Sequence, residues 1–182
     1  KKLLIGGFPK VFEIGRSFRN EGIDVTHNPE FTTVEWYEAY SDAERQRAFV
    51  EKTLKTIVKE VFSDTKVMHA GEEIDFKKPF TIASYFELIE RHALIPGVAS
   101  ASVETLLLSG KRLGASVKEE DTREKILDAI FKRAVRPKLI QPTFVVDYPK
   151  DMLPLAKNKT DNAALVDAFQ LYVGGVELVK AF

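Results

Sequence analysis

Cysteine is absent from the 182-residue chain, which excludes disulfides, thiol nucleophiles and thiolate zinc. Histidine stands only at His27, His69 and His92, too sparse for a histidine-based metal cluster. An excess of one charge is missing too: 27 Lys+Arg balance 27 Asp+Glu, so any contact with nucleic acid has to be local. No run of about 18 uncharged apolar residues occurs, so no membrane span is expected. The apolar stretch after Lys1-Lys2 is too short for a signal peptide. There are no repeats, no low-complexity segments, no GxGxxG and no Walker loop, so a bound nucleotide would not use a Rossmann crevice or a P-loop.

What is present suffices for one core with a small appended module: 45% of residues are hydrophobic and 30% charged. These proportions exclude a disordered tail and a collagen-like fibre. The chain opens without methionine, and Phe182 falls inside an expected strand, so it reads as a piece of something larger.

Residues 11–19 alternate with period two. Phe12, Ile14 and Phe18 share an apolar back with Arg16, while Val11, Glu13, Gly15, Ser17 and Arg19 form the front. Residues 20–30 read as a polar loop. Residues 31–40 return as a second, antiparallel strand with Phe31, Thr33, Glu35 and Tyr37 in front and Val34 and Trp36 behind, Trp36 and the back-face Phe residues being expected in the core. That loop exceeds the usual span of about two to five residues, as functional loops do.

A capping box at Ser41 and Glu44 predicts a helix to about residue 62, with Val50, Leu54, Ile57, Val58 and Val61 as its buried stripe. Residues 67–76 read as a small hairpin turning at Gly71. A helical block is expected over residues 81–138: a helix from the Ser84/Glu87 capping box, one over 103–113 stopped at Gly114, and one over 122–135 ended by Pro137. Its Lys and Arg residues alternate with acids, as on a solvated helical face. Residues 143–148 read as a strand, and 168–173 with 176–182 flank the hairpin turn Gly174-Gly175. The sum is an α+β fold, an antiparallel sheet flanked by helices.

Charges on the front of the first hairpin are costly to bury unless they are paired or serve a ligand. A solvated edge face with a surface ion pair is the plain alternative. Arg19 is a planar donor fork suited to phosphate or carboxylate. Glu21 can accept from an amino group, His27 and Asn28 supply loop donors, and Phe31 offers a face for a stacked base.

The run Phe18-Arg19-Asn20-Glu21-Gly22, followed by His27-Asn28-Pro29-Glu30-Phe31-Thr32, resembles motif 2 of the class II aminoacyl-tRNA synthetases. With Val34-Glu35-Trp36-Tyr37 behind it, the form is similar to the lysyl branch. The stretches Leu139–Phe144, Tyr148-Pro149, Pro154–Lys157 and Gly174–Leu178 also resemble that branch. The resemblance implies a partial class II catalytic domain over residues 1–182, with residues 81–138 as a helical insertion. It implies ATP-dependent activation of lysine and transfer to tRNA(Lys), a homodimer in the full-length protein, and a cytoplasmic location. It also implies roles. Arg19 grips the α-phosphate of ATP, and Glu21 accepts from the adenine amino group. Asn20 makes backbone contact, His27 and Asn28 lie near the phosphates, and Phe31 stacks on the base. Glu35, with Tyr37 beside it, meets the lysine ammonium in a slot, where an unpaired anion would reject neutral side chains.

In this family two acids at the last hairpin hold Mg²⁺ on the ATP. Here Glu177 is kept but Gln170 stands at the other position, a weaker ligand for a hard cation. Pairing around Gly174-Gly175 puts Gln170 and Glu177 on one face. Glu177 as an ordinary hairpin surface residue is the alternative. Where the family has asparagine near the substrate's α-carboxylate, this chain has Lys180, a point charge suited to pair with that carboxylate or with phosphate, or else a mark of altered substrate or lost activity. Regular alternation would put Lys180 on the opposite face, so that role requires a bulge. Motif 1 and motif 3 are not in this stretch, and the chain alone is expected to be inactive. Two rival readings are a paralogue that ligates lysine to an elongation factor, and a non-catalytic relative that binds ATP or RNA.

Overall fold

The computed structural model describes residues 1–20, 22–23 and 27–182. Glu21, expected to meet adenine, lies outside the described residues. The chain divides into two compact units, Lys1–Ser41 and Asp42–Phe182.

The first unit is a ribbon. A short helix, α1 (Lys2–Ile5), precedes β1 (Lys10–Phe18), which pairs antiparallel with β2 (Glu30–Glu38). The register sets Val11 against Tyr37, Glu13 against Glu35, Gly15 against Thr33 and Ser17 against Phe31. These pairs share the expected front face, because opposed residues point the same way. The back face departs from expectation. Phe12, Ile14 and Phe18 are exposed and Trp36 is half-buried, rather than core. A two-stranded ribbon has no second layer of its own to cover a face.

The second unit opens with α2 (Ala43–Phe62), capped by Asp42 rather than Ser41: the Asp42 carboxylate accepts from the Arg45 N–H at 2.8 Å. Val50 and Val58 of its expected stripe are buried, whereas Ile57 and Val61 are exposed. Next comes the small hairpin β3 (Lys66–His69) and β4 (Glu72–Asp75), turning at Ala70-Gly71 with positive φ at both residues.

Residues 81–138 are not wholly helical. They begin with β5 (Thr81–Ser84), which pairs in parallel with β6 (Thr143–Val146). The sheet is therefore mixed, in the order β5-β6-β7-β8, with β7 (Phe169–Val173) and β8 (Val176–Ala181) antiparallel. A four-residue strand running straight into a helix leaves too little alternation to read. The other boundaries follow local chemistry. Both halves of the Ser84/Glu87 capping box form at α3 (Tyr85–Ala93). The helix α4 (Val103–Leu113) ends at Gly114 with φ +69°. After α5 (Arg123–Ile130) the helix widens to a π turn over Phe131–Val135 before Pro137 stops it.

The core lies on both faces of this sheet. Tyr85, Leu88 and Ile89 of α3 and Ile126, Leu127 and Ile130 of α5 pack with Val145, Tyr148 and Tyr172. Opposite, Phe80, Phe144 and Phe169 meet ring to ring at 5.7 and 5.4 Å. Every residue of β7 is buried, as expected of a central strand covered on both sides. Its turn is pinned. Gly174 and Gly175 N–H donate to the carbonyls of Ile140 and Leu139, and Arg136 Nε donates to the Gly175 carbonyl at 2.9 Å.

Two stability predictions follow from this packing. Gly174 has φ +59°, and an added Cβ would stand 2.7 Å from His69 Cδ2. Gly174→Ala is expected to lower unfolding free energy by about 1–3 kcal/mol, read by urea denaturation. Tyr85 is 1% exposed and its hydroxyl has no partner among the described residues. Tyr85→Phe is therefore expected to leave stability unchanged or raise it by up to about 1 kcal/mol, read from the same denaturation curves.

Candidate active site

The ribbon front brings several of the expected residues together. The Arg19 N–H donates to the Pro29 carbonyl at 2.9 Å, extending the ladder one step past β1. Arg19 thus lies on the side of Ser17, diagonal to Phe31, and its guanidinium carbon sits 5.2 Å from the Phe31 ring centre. A cation and an aromatic face are thereby placed at one end of the ribbon. Asn20, His27 and Asn28 are exposed at the same end.

Four residues further along β2, about 13 Å at the usual rise per residue, stands Glu35. The Tyr37 hydroxyl donates to Glu35 Oε2 at 3.1 Å. Desolvation raises the Tyr37 pKa, with further contributions from the hydrogen bond to Glu35 and the charges of Glu35 and Glu13. Glu13 is the residue that sequence reasoning left without a role. It faces Glu35 directly across the ladder, an arrangement of like charges that costs stability unless a cation answers it. Alternation alone could not have found this pair, because a long loop leaves the register open. The face already draws an ammonium: Lys1 Nζ lies 5.6 Å over the Tyr37 ring. The buried slot expected around Glu35 is not formed within the ribbon, where Glu35 is exposed.

The second group is built on β7 and β8. Val173 pairs with Val176 and Tyr172 with Glu177, as the Gly-Gly turn requires. Between Leu171 and Tyr172 the register shifts, so Leu171 faces Val179 and Gln170 faces Lys180. This is the bulge that the Lys180 expectation required, and it turns Lys180 to the face of Gln170, Tyr172 and Glu177. Gln170, Tyr172 and Lys180 border a cavity of about 250 Å³, whose wall also includes Tyr85, Tyr148 and Asp128.

Gln170 is buried, and its amide oxygen is engaged. Tyr148 and Tyr172 hydroxyls both donate to Oε1, at 2.6 and 2.7 Å. Tyr172 also lies 3.3 Å from Glu177 Oε2. Burial is the main cause that pushes both tyrosine pKa values far above the usual range, so the hydroxyls stay protonated and donate. Gln170 Oε1 thus accepts from Tyr148 and shares the single Tyr172 hydroxyl proton with Glu177 Oε2, so protein hydroxyls already engage the amide oxygen. The magnesium ion implied by the resemblance therefore does not fit this donor set: the hairpin face offers one carboxylate, Glu177, itself within reach of the Tyr172 hydroxyl, and that is short of what a hard cation needs. No group of three His, Cys, Asp or Glu that could hold a metal occurs among the described residues. On the helical block the basic side chains are partly neutralised, through Lys111–Glu119, Lys125–Asp121 and Lys132–Asp128, as on a solvated face. No described helix is long and apolar enough to cross a membrane.

Removing the Gln170 side chain would take its acceptor from the buried Tyr148 hydroxyl and leave Tyr172 only the longer contact to Glu177. Gln170→Ala is expected to cost about 2–4 kcal/mol in chemical denaturation, while Gln170→Glu, which still accepts from both tyrosines, is expected to cost less.

A sequence profile of the class II tRNA synthetases (D, K and N) matches residues 1–182. Over its whole length the chain is 40% identical to a lysine–tRNA ligase of Pelotomaculum thermopropionicum, of which it covers 36%. It is 42% identical to that of Clostridium novyi, covering 36%, and 39% identical to that of Nostoc sp., covering 33%. The chain thus spans about a third of the length of these relatives. With a full-length profile match and a ribbon that places Arg19, Phe31, Glu35 and Tyr37 on one face, the chain belongs to the class II tRNA synthetases of the D, K and N group.

Proposed function

We propose that this chain supplies part of the catalytic domain of a lysine–tRNA ligase. The observation that carries the reading is the ribbon front: a guanidinium on an aromatic ring at one end, and two opposed carboxylates with a tyrosine hydroxyl at the other. The first end suits a nucleotide, and the second suits an alkylammonium. The names of the relatives favour tRNA over an elongation factor as acceptor.

In the first step the lysine carboxylate attacks the α-phosphate of ATP. The new carboxyl–phosphate bond forms as the bond to pyrophosphate breaks. Arg19 neutralises charge gathering on the α-phosphate, while Asn20, Glu21, His27, Asn28 and Phe31 hold the nucleotide. Glu35 and Tyr37 hold the lysine ammonium. In the second step a terminal ribose hydroxyl of tRNA(Lys) attacks the acyl carbon and AMP leaves. No covalent enzyme intermediate is needed. No step is assigned to magnesium, because Gln170 does not fit it. The full-length protein works as a homodimer in the cytoplasm in this reading.

Lysine-dependent ATP–pyrophosphate exchange by the full-length protein tests it. Arg19→Ala is expected to reduce exchange by at least about a hundredfold, and near-normal exchange would contradict the assignment. Glu35→Gln is expected to raise KM for lysine by about a hundredfold or more. An unchanged KM would move the ammonium site elsewhere.

A further inference from the structure

The hairpin face that fails as a metal site has a positive chemistry of its own. With Gln170 Oε1 engaged by Tyr148 and by Tyr172, whose proton it shares with Glu177, the amide nitrogen is the end of the side chain left to donate to a ligand. Lys180 is its ladder partner, brought to the same face by the bulge, and both residues border the 250 Å³ cavity. Lys180 is exposed and forms no ion pair among the described residues. Tyr85 in the same wall has an unpartnered hydroxyl and is 1% exposed. The acids of the cavity, Glu124, Asp128 and Asp151, stand on α5 and the segment after β6, not on the hairpin, and Asp128 is paired with Lys132.

The charges balance in a telling way. Two carboxylates with a divalent cation sum to zero. One carboxylate, Glu177, with one ammonium, Lys180, also sums to zero.

We propose that the β7–β8 face binds a ligand phosphate directly, through the Lys180 ammonium and the Gln170 amide N–H groups, and holds no resident divalent cation. The choice of phosphate as the oxyanion rests on the nucleotide reading above; the absence of a resident cation does not. Lys180 is a point charge with three donors, suited to an oxyanion whose orientation is set by other groups.

The test uses the 182-residue chain with manganese(II) and inorganic pyrophosphate as probes. Manganese binding, read by water-proton relaxation, is expected to be unaffected by Glu177→Gln in the native sequence. The double variant Gln170→Glu/Lys180→Asn is expected to bind manganese at least about tenfold more tightly, a gain abolished by adding Glu177→Gln. In chelator-treated buffer, calorimetry is expected to show pyrophosphate binding that Lys180→Ala weakens about tenfold or more. Lys180→Met, which keeps the apolar stem, is expected to show the same loss. Manganese binding to the native chain that Glu177→Gln removes would overturn the proposal. So would pyrophosphate binding that requires a metal or ignores both Lys180 variants. Failure of lysine activation in the full-length protein would leave these titrations unchanged, so the two readings fail separately.

Discussion

A single extra residue in β8 decides what the last hairpin can do. Were the ladder regular beyond Tyr172 and Glu177, Lys180 would point away from Gln170 and leave that face with one carboxylate and no cation. The bulge reverses the alternation of every residue beyond it. It persists because both ends of the hairpin are held. The Gly174-Gly175 turn is tied to Leu139, Ile140 and Arg136, and β7 is buried along its whole length. The extra residue falls in β8, the more exposed of the two strands. Tyr148 and Tyr172 then engage the Gln170 amide oxygen, and burial raises the pKa of both, which favours the protonated, donating hydroxyl.

The ribbon has the opposite character. It lacks a layer of its own, its apolar back is exposed, and Glu13 opposes Glu35 across the ladder. Like charges in direct opposition destabilise a ribbon that is marginal to begin with. A ligand bearing an ammonium relieves that repulsion, so binding and ordering of this unit are thermodynamically linked.

The legible parts of the sequence were those governed by local chemistry. The Ser84/Glu87 box, Gly114 and the Gly174-Gly175 turn each act through their own backbone, and each formed where its residues predicted. The face of β2 was legible from alternation, and so was its pairing partner. Three features were not. Glu13 opposite Glu35 depends on a register that a long loop leaves undefined. Thr81–Ser84 as a strand depends on a partner more than fifty residues later, at Thr143–Val146. Val61 and Ile57 match a helical stripe yet remain exposed, because periodicity marks a face that can be buried without supplying what buries it.

Gln170 shows how a polar residue in a core strand should be weighed. Within Phe169–Val173 it is the one strongly polar side chain, and burial without partners would cost several kcal/mol. Two tyrosines, one contributed by β7 itself and one by the segment after β6, remove that cost by filling its acceptor sites. A carboxylate in the same place would gain the same two hydrogen bonds but bring a buried negative charge, which needs a cation nearby. Glutamine needs none. The neutral amide is thus a self-contained solution to burying polarity at this point, and it frees Lys180 opposite from any duty as its counter-ion. An ammonium that no carboxylate among the described residues pairs with, bordering a cavity, is consistent with the direct phosphate contact proposed above.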